Sequence, residues 1–354
     1  MPQDISFFLP FVPRVNAEAD RARAHHLAWV SAHDLVCGPD ALRRYRAWRL
    51  TDLASYAYPD AAGEELDLVT DAVCLGFPLD DQFDGELGRQ PERAARLSAG
   101  LSAIPYQAPG ARPRLDTPLA RAYADLWRRT ARGMSSAWRR RAAANLTRFF
   151  HAYVEEATNR HRGTELTEAA YMALRRHAVG TALCFDLIER AGRFELPARA
   201  HRSPELRTLV RCAGDVVFLC NDAHSVEREE AQGDPHNLVL IRQRDRGCGR
   251  REAIDQVGAL VRARVERFQA LAGRLPETAA RLRLDAAGRE HLERYADGLR
   301  SWMIGNQLWG VESPRYAHHT AADHTTADHT TAGVATAGRA GGLAASLPGF
   351  GGPR

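Results

Sequence analysis

The sequence predicts an all-α fold, and three observations carry that expectation. Apolar residues recur at three- and four-residue steps through most of the chain. Sustained two-residue alternation, the mark of half-buried strands, is absent. Breakers punctuate the periodic stretches: Gly38-Pro39, Tyr58-Pro59, residues 109–113, Pro197, Ser203-Pro204 and Pro276.

Taken in order, Leu66, Val69, Val73, Phe77 and Asp80 continue one helical face, although Pro78 lies inside it and removes a backbone donor. Leu206, Val210, Ala213 and Val217 form a second face leading into Asn221, Ser225 and Glu229. The apolar run 238–241 is too short to found a sheet. Ile254, Val257, Val261, Val265, Phe268 and Leu271 make a third face, and Leu292, Tyr295, Leu299, Trp302, Asn306 and Trp309 a fourth. About ten helices are expected, in one domain from residue 1 to 316 without a linker. Residues 317–354 repeat Thr-Ala-Asp-His-Thr and then turn rich in Gly and Ala. Too apolar-poor to offset its ordering entropy, this segment is expected to be a disordered tail. The histidines 318, 319, 324 and 329 fall in that low-complexity segment and read as drift rather than as a metal site.

Composition narrows the classes of function. The chain has 354 residues, 45% of them hydrophobic, which excludes wholesale disorder. All 48 basic residues are arginine, as a GC-rich genome would favour. They alternate with acids along the helices, so no nucleic-acid stripe emerges from the net charge of +4. The six cysteines include no C-x-x-C pair and read as free thiols in a reducing compartment. Neither a signal peptide nor a run of about 18 apolar residues is present, so a cytoplasmic protein without a membrane span is expected.

Two acidic segments carry the chemistry. Asp80-Asp81-Gln82-Phe83-Asp84 places Asp80 and Asp84 one turn apart, at the end of a face that otherwise points to the core. Asn221, Ser225 and Glu229, which begin 141 residues after Asp80, form one oxygen-bearing stripe over two turns. Each segment alone could be a solvated helix end. Together they offer hard oxygen donors on two helices, a set suited to magnesium completed by water and phosphate oxygens.

These segments resemble the DDxxD and NSE motifs of bacterial class I terpene synthases. Arg315-Tyr316 resembles the Arg-Tyr pair near the end of those enzymes, and the stretches 149–160, 171–180 and 302–309 look similar to the family as well. The resemblance runs from about residue 7 to 316. It implies a single α-helical bundle around an apolar active-site cavity. It also implies that Asp80 and Asp84 hold two Mg2+ ions and that Asn221, Ser225 and Glu229 hold a third. Arg175 takes the place of the family's diphosphate-sensing arginine, with Arg176 as the adjacent alternative, and Ala178 and Val179 fall at the positions that follow it. Arg228, Arg315 and Tyr316 would bind the same diphosphate.

The cation left after ionisation needs a dry wall with aromatic faces. Phe77, Phe149, Tyr153, Phe218, Trp302 and Trp309 are the candidates, Phe77 foremost because it sits one turn before Asp80. The expected reaction converts farnesyl diphosphate to a sesquiterpene, with geranyl or geranylgeranyl diphosphate and an acyclic alcohol product as alternatives. A chain-elongating prenyltransferase would carry a second aspartate-rich motif in place of residues 221–229, and a non-catalytic binder of isoprenoid diphosphates would have lost a ligand. A monomer or a homodimer is compatible with the sequence.

Overall fold

Every long periodic stretch forms a helix. The computed structural model describes residues 5–108 and 110–316, the side chain of Asp84 excepted, so the expectation for residues 317–354 lies outside the described residues. Fifteen α-helices follow in order: α1 (Ala19–Ala32), α2 (Pro39–Ala47), α3 (Leu50–Ala57), α4 (Gly63–Asp84), α5 (Pro91–Ser102), α6 (Pro118–Ala131), α7 (Ser136–Arg162), α8 (Glu168–Ala178), α9 (Thr181–Gly192), α10 (Ala198–Arg202), α11 (Pro204–Ala231), α12 (Leu238–Arg246), α13 (Arg250–Ala272), α14 (Leu275–Arg281) and α15 (Ala286–Glu312). Short 3-10 turns occupy Glu86–Arg89, Ile104–Tyr106 and Pro314–Tyr316. No strand occurs among the described residues. The count exceeds the ten expected because short helices such as α10 and α14 span too few turns to leave a periodic signature.

Local chemistry explains the boundaries. Four of the long helices begin at a side-chain cap or a proline whose missing N–H costs nothing there. Ser203 caps α11 by accepting from the Leu206 amide at 3.2 Å, with Pro204 as its first residue. Ser135 caps α7 through the Trp138 amide at 3.1 Å, Asp285 caps α15 through the Gly288 amide at 2.8 Å, and Pro118 opens α6 behind Thr117. The run 238–241, no strand, is the buried first turn of α12, with Asn237 as its cap. Pro78 does not end α4, which continues through it to Asp84. Its ring leaves the Cys74 carbonyl without the usual amide donor, and the Tyr45 hydroxyl lies 3.5 Å from that oxygen, at the outer limit of a hydrogen bond.

Helix α11 lies at the centre and packs against α13 and α15, while α15 in turn packs on α3. On the other side, α4 packs on α1, α3 and α9, and α7 on α5 and α8. The amino-terminal segment crosses α15 as an extended strap. Gln307 fixes it by accepting from the Phe7 amide at 2.9 Å and donating to the Phe7 carbonyl at 2.7 Å. All six cysteines are unpaired. No described helix is long and apolar enough to cross a membrane.

Candidate active site

A single cavity runs between α4, α6, α7, α8, α9, α11 and α15, and its polarity changes along its length. On α4 the lining passes from Val73 and Phe77 to Asp80. On α7 it passes from Trp138, Ala142, Leu146 and Phe149 to Tyr153, Glu156 and Arg160. On α11 it passes from Val217 to Asn221, Ser225 and Glu229, and from Trp302 and Trp309 on α15 to Tyr316 just beyond it. Contacts place these polar ends together. The Tyr153 hydroxyl donates to Asp80 Oδ1 at 3.2 Å, and Asn221 Nδ2 donates to the Tyr316 hydroxyl at 2.8 Å. Four helices thus run in the same sense, each carrying its oxygen and guanidinium groups toward one end of the cavity.

At that end the acids and arginines are paired with one another. Arg315 donates through Nη2 to Asp81 Oδ1 at 2.7 Å and through Nη1 to Asp81 Oδ2 at 3.2 Å. Arg228 donates to the same Oδ1 at 2.7 Å. Burial alone would raise the Asp81 carboxyl, but the two guanidinium groups, Arg315 first, outweigh it and hold the carboxyl below its usual range. Arg175 donates to Asn221 Oδ1 at 2.7 Å and to Asp222 Oδ1 at 3.3 Å. Its neighbour Arg176 turns away and pairs with Asp215 on α11, which also pairs with Arg264. Ser225 Oγ donates to the Asn221 carbonyl at 2.9 Å, a bond within its own helix. Glu229 accepts from Asn237 Nδ2 at 2.7 Å, and burial pushes its carboxyl up against the pull of Arg175.

The donor set fits a hard cation, although the described residues contain no ready-made cluster of three acidic, histidine or cysteine ligands. Two carboxylates, an amide oxygen and a hydroxyl face one cavity end and offer oxygen donors of the kind a hard cation takes. A buried carboxyl held above its usual range, as Glu229 is, gains most from a positive charge brought beside it. In this arrangement Arg175 engages the Asn221 amide oxygen, and Asp81 engages Arg228 and Arg315.

Of the residues expected from sequence, Phe77, Asp80, Arg175, Asn221, Ser225, Arg228, Glu229 and Tyr316 border the cavity. Arg315 lies behind that border, buried, where it shares Asp81 with the bordering Arg228. The side chain of Asp84 lies outside the described residues. Phe149, Tyr153, Trp302 and Trp309 also line the wall. Phe218 does not: it is fully buried, because one residue of helical rotation from Val217 turns it from the cavity into the core. Tyr123, Trp127 and Trp138 line the wall instead, on α6 and α7.

Several further polar residues brace this end of the cavity. Asp222 accepts from the Tyr171 hydroxyl at 2.7 Å and from the Leu238 amide at 3.1 Å, besides Arg175, so one carboxylate joins α8, α11 and α12. Arg160 donates to Asp234 at 2.6 Å and to the Phe83 carbonyl at 3.3 Å, which ties the end of α4 to the loop after α11. Asp222 directly follows Asn221 and could have been read from that position, and Arg160 ends the family-like stretch 149–160; nothing in the sequence marks Asp234.

Comparison with known proteins shows the family and the fold. The profile of terpene synthase family 2, C-terminal metal binding, matches residues 71–267. Pentalenene synthase of Streptomyces exfoliatus is 38% identical over 89% of this chain and 94% of its own. The 7-epi-alpha-eudesmol synthase of Streptomyces viridochromogenes, named as (2E,6E)-farnesyl diphosphate cyclizing, is 35% identical over 90% of this chain and 93% of its own. The crystal structure of germacradien-4-ol synthase from Streptomyces citricolor superposes with a TM-score of 0.79 at 37% identity, covering 88% of this chain and all of the other. Fold, cavity and motifs define a class I terpene synthase, a lyase acting on prenyl diphosphates. The chain belongs to the terpene synthase family whose metal-binding domain it contains.

Proposed function

We propose that the enzyme ionises farnesyl diphosphate and converts the resulting allylic cation to a sesquiterpene hydrocarbon or alcohol, releasing diphosphate. The observation that carries this reading is the polarity gradient of the cavity, with oxygen donors and guanidinium groups at one end and aromatic and aliphatic side chains toward the other. The farnesyl chain length draws support from the relative named for cyclising that substrate.

Asp80 and Asp84 would hold two magnesium ions, and Asn221, Ser225 and Glu229 a third. Ions bound there neutralise the charge that develops on a departing diphosphate. Arg175, Arg228, Arg315 and Tyr316 would donate hydrogen bonds to the same anion, and donors already in place need no reorganisation as the bond breaks. Arrival of the anion would release Arg228 and Arg315 from Asp81 and Arg175 from Asn221. The three arginines would thereby gain the diphosphate, and the Asn221 amide oxygen a metal ion. Phe149, Tyr153, Trp302 and Trp309 would keep water from the cation and present ring faces to it, with Phe77 bordering the same space.

The test is incubation of the purified protein with Mg2+ and, separately, geranyl, farnesyl and geranylgeranyl diphosphate, with products read by gas chromatography–mass spectrometry. A C15 terpene from farnesyl diphosphate, absent when Mg2+ is chelated, is expected. Turnover of only another chain length, or elongation of a prenyl chain, contradicts the proposal.

A further inference from the structure

Arg315 belongs to a short turn at the end of the described chain, and a turn of three residues has little rigidity of its own. What holds it is the corner between α2 and α3, a part of the chain with no metal motif. The Arg315 guanidinium carbon lies 5.0 Å from the ring centre of Trp48 and 5.0 Å from that of Phe77. Ser313 links the two backbones: its hydroxyl donates to the Trp48 carbonyl at 3.0 Å and accepts from the Arg315 amide at 3.2 Å. One residue on, the Arg49 carbonyl accepts from Trp309 Nε1 at 3.0 Å. Arg49 also lies 3.5 Å from Glu312, which accepts from the Tyr56 hydroxyl at 3.0 Å. Arg49 itself sits in the left-handed region, at φ 54, where α3 begins directly after α2. That turn of the backbone sets two successive carbonyls, Trp48 and Arg49, against the last turn of α15 and the segment after it.

The geometry points to Trp48 as a positioning residue: its ring and carbonyl hold Arg315 and Ser313 so that the guanidinium is presented to the diphosphate of the substrate. This inference rests on the proposed role of Arg315 as a diphosphate ligand. A guanidinium has five donors in a rigid plane, and an aromatic face beneath it fixes that plane without consuming a donor. Asp81 occupies the donor edge in the present arrangement and must give it up to an anion; Trp48 touches only the face and can stay in place through the exchange. The corner is therefore the fixed half of the contact and Asp81 the exchangeable half.

The experiment measures binding of inorganic diphosphate in the presence of Mg2+ by titration calorimetry, together with KM and kcat, for wild type, Trp48→Leu, Trp48→Phe, Ser313→Ala, Arg315→Gln and the double variant Trp48→Leu/Arg315→Gln. Trp48→Leu is expected to weaken diphosphate binding about tenfold, the scale of one partly desolvated cation–aromatic contact. Trp48→Phe, which keeps a ring face, should stay within about threefold of wild type. The double variant should bind no more weakly than Arg315→Gln alone, because Trp48 acts through that arginine. Wild-type affinity in folded Trp48→Leu, or a further tenfold loss on the Arg315→Gln background, overturns the inference. If Trp48→Leu does not fold, Ser313→Ala decides: about threefold weaker binding is expected, and unchanged binding overturns it. Unchanged binding in Arg315→Gln would instead remove the parent reading, a distinct result.

Discussion

At the scale of the residue, Asp80, Asn221 and Glu229 supply oxygen atoms to one place. Each borders the polar end of the cavity, and each has its present partner in a neighbouring side chain rather than in water alone. Asp80→Ala or Asn221→Ala removes a proposed metal ligand and should lower kcat by about 10²-fold or more, on the scale of losing one electrostatic contact to a transition state. Helical circular dichroism should not change, so activity near wild type in either variant contradicts the assignment. Glu229 makes a second, opposite prediction about stability. Its folded carboxyl is raised by burial, so the uncharged form is favoured in the metal-free fold. Stability from this group is then complete below its unfolded value, about 4.3, and is lost as pH rises through the folded value. Glu229→Gln, which can still accept from Asn237, should therefore melt at a higher temperature than wild type near neutral pH without metal. The gap should close in acid, while turnover is lost. A lower melting temperature at neutral pH would show that the charge stabilises this fold.

At the scale of elements, the ends of α4 and α11 must keep a fixed separation for ligands on both to serve one site. Arg160 supplies one brace through Asp234 and the Phe83 carbonyl, and Arg89 a second by donating to the Gln232 carbonyl at 3.1 Å. The turn Glu86–Arg89 fits beneath the first brace because residue 88 has no side chain. A β-carbon at Gly88 would lie 1.6 Å from the Phe83 carbonyl oxygen and 3.1 Å from Arg160 Nη1. Gly88→Ala must therefore displace backbone, at a cost of about 1–3 kcal/mol. Denaturant midpoints should fall accordingly, and the Mg2+ concentration for half-maximal activity should rise because Phe83 lies inside the aspartate-rich segment. An unchanged midpoint would mean that the turn has room the structure does not show.

These braces mark the limit of what the sequence disclosed. Helical phase was legible wherever four or more turns bury one face, as along α4, α11, α13 and α15. The stripe Asn221, Ser225, Glu229 was legible for the same reason, since a four-residue spacing fixes the face. Phe218 was misplaced because its wall role was inferred from residue type, whereas phase gives that side to Val217. Asp234 and Trp48 had no signature, and Arg160, though it ends the stretch 149–160, had none that named its partner. Their partners lie 74 to 267 residues away (160 to 234, and 48 to 315), and local spacing carries no information about such pairs.

Seen whole, the described part of the molecule is a helical bundle whose cavity sorts charge to one end, where the charged groups pair with one another. Asp81 holds Arg228 and Arg315, and Arg175 holds Asn221. Leaving such buried groups without partners would cost about 3–5 kcal/mol for each broken pair, so the internal pairing protects the metal-free fold. The central claim is that these partners are exchanged on loading. A crystal structure with Mn2+ in place of Mg2+ and with inorganic diphosphate, its anomalous map locating the metal, tests that claim most directly. The account predicts metal density at Asp80 and at Asn221, Ser225 and Glu229, with the diphosphate bound to Arg175, Arg228, Arg315 and Tyr316. Metal bound elsewhere, or a diphosphate that leaves Arg228 and Arg315 on Asp81 and Arg175 on Asn221, would contradict it.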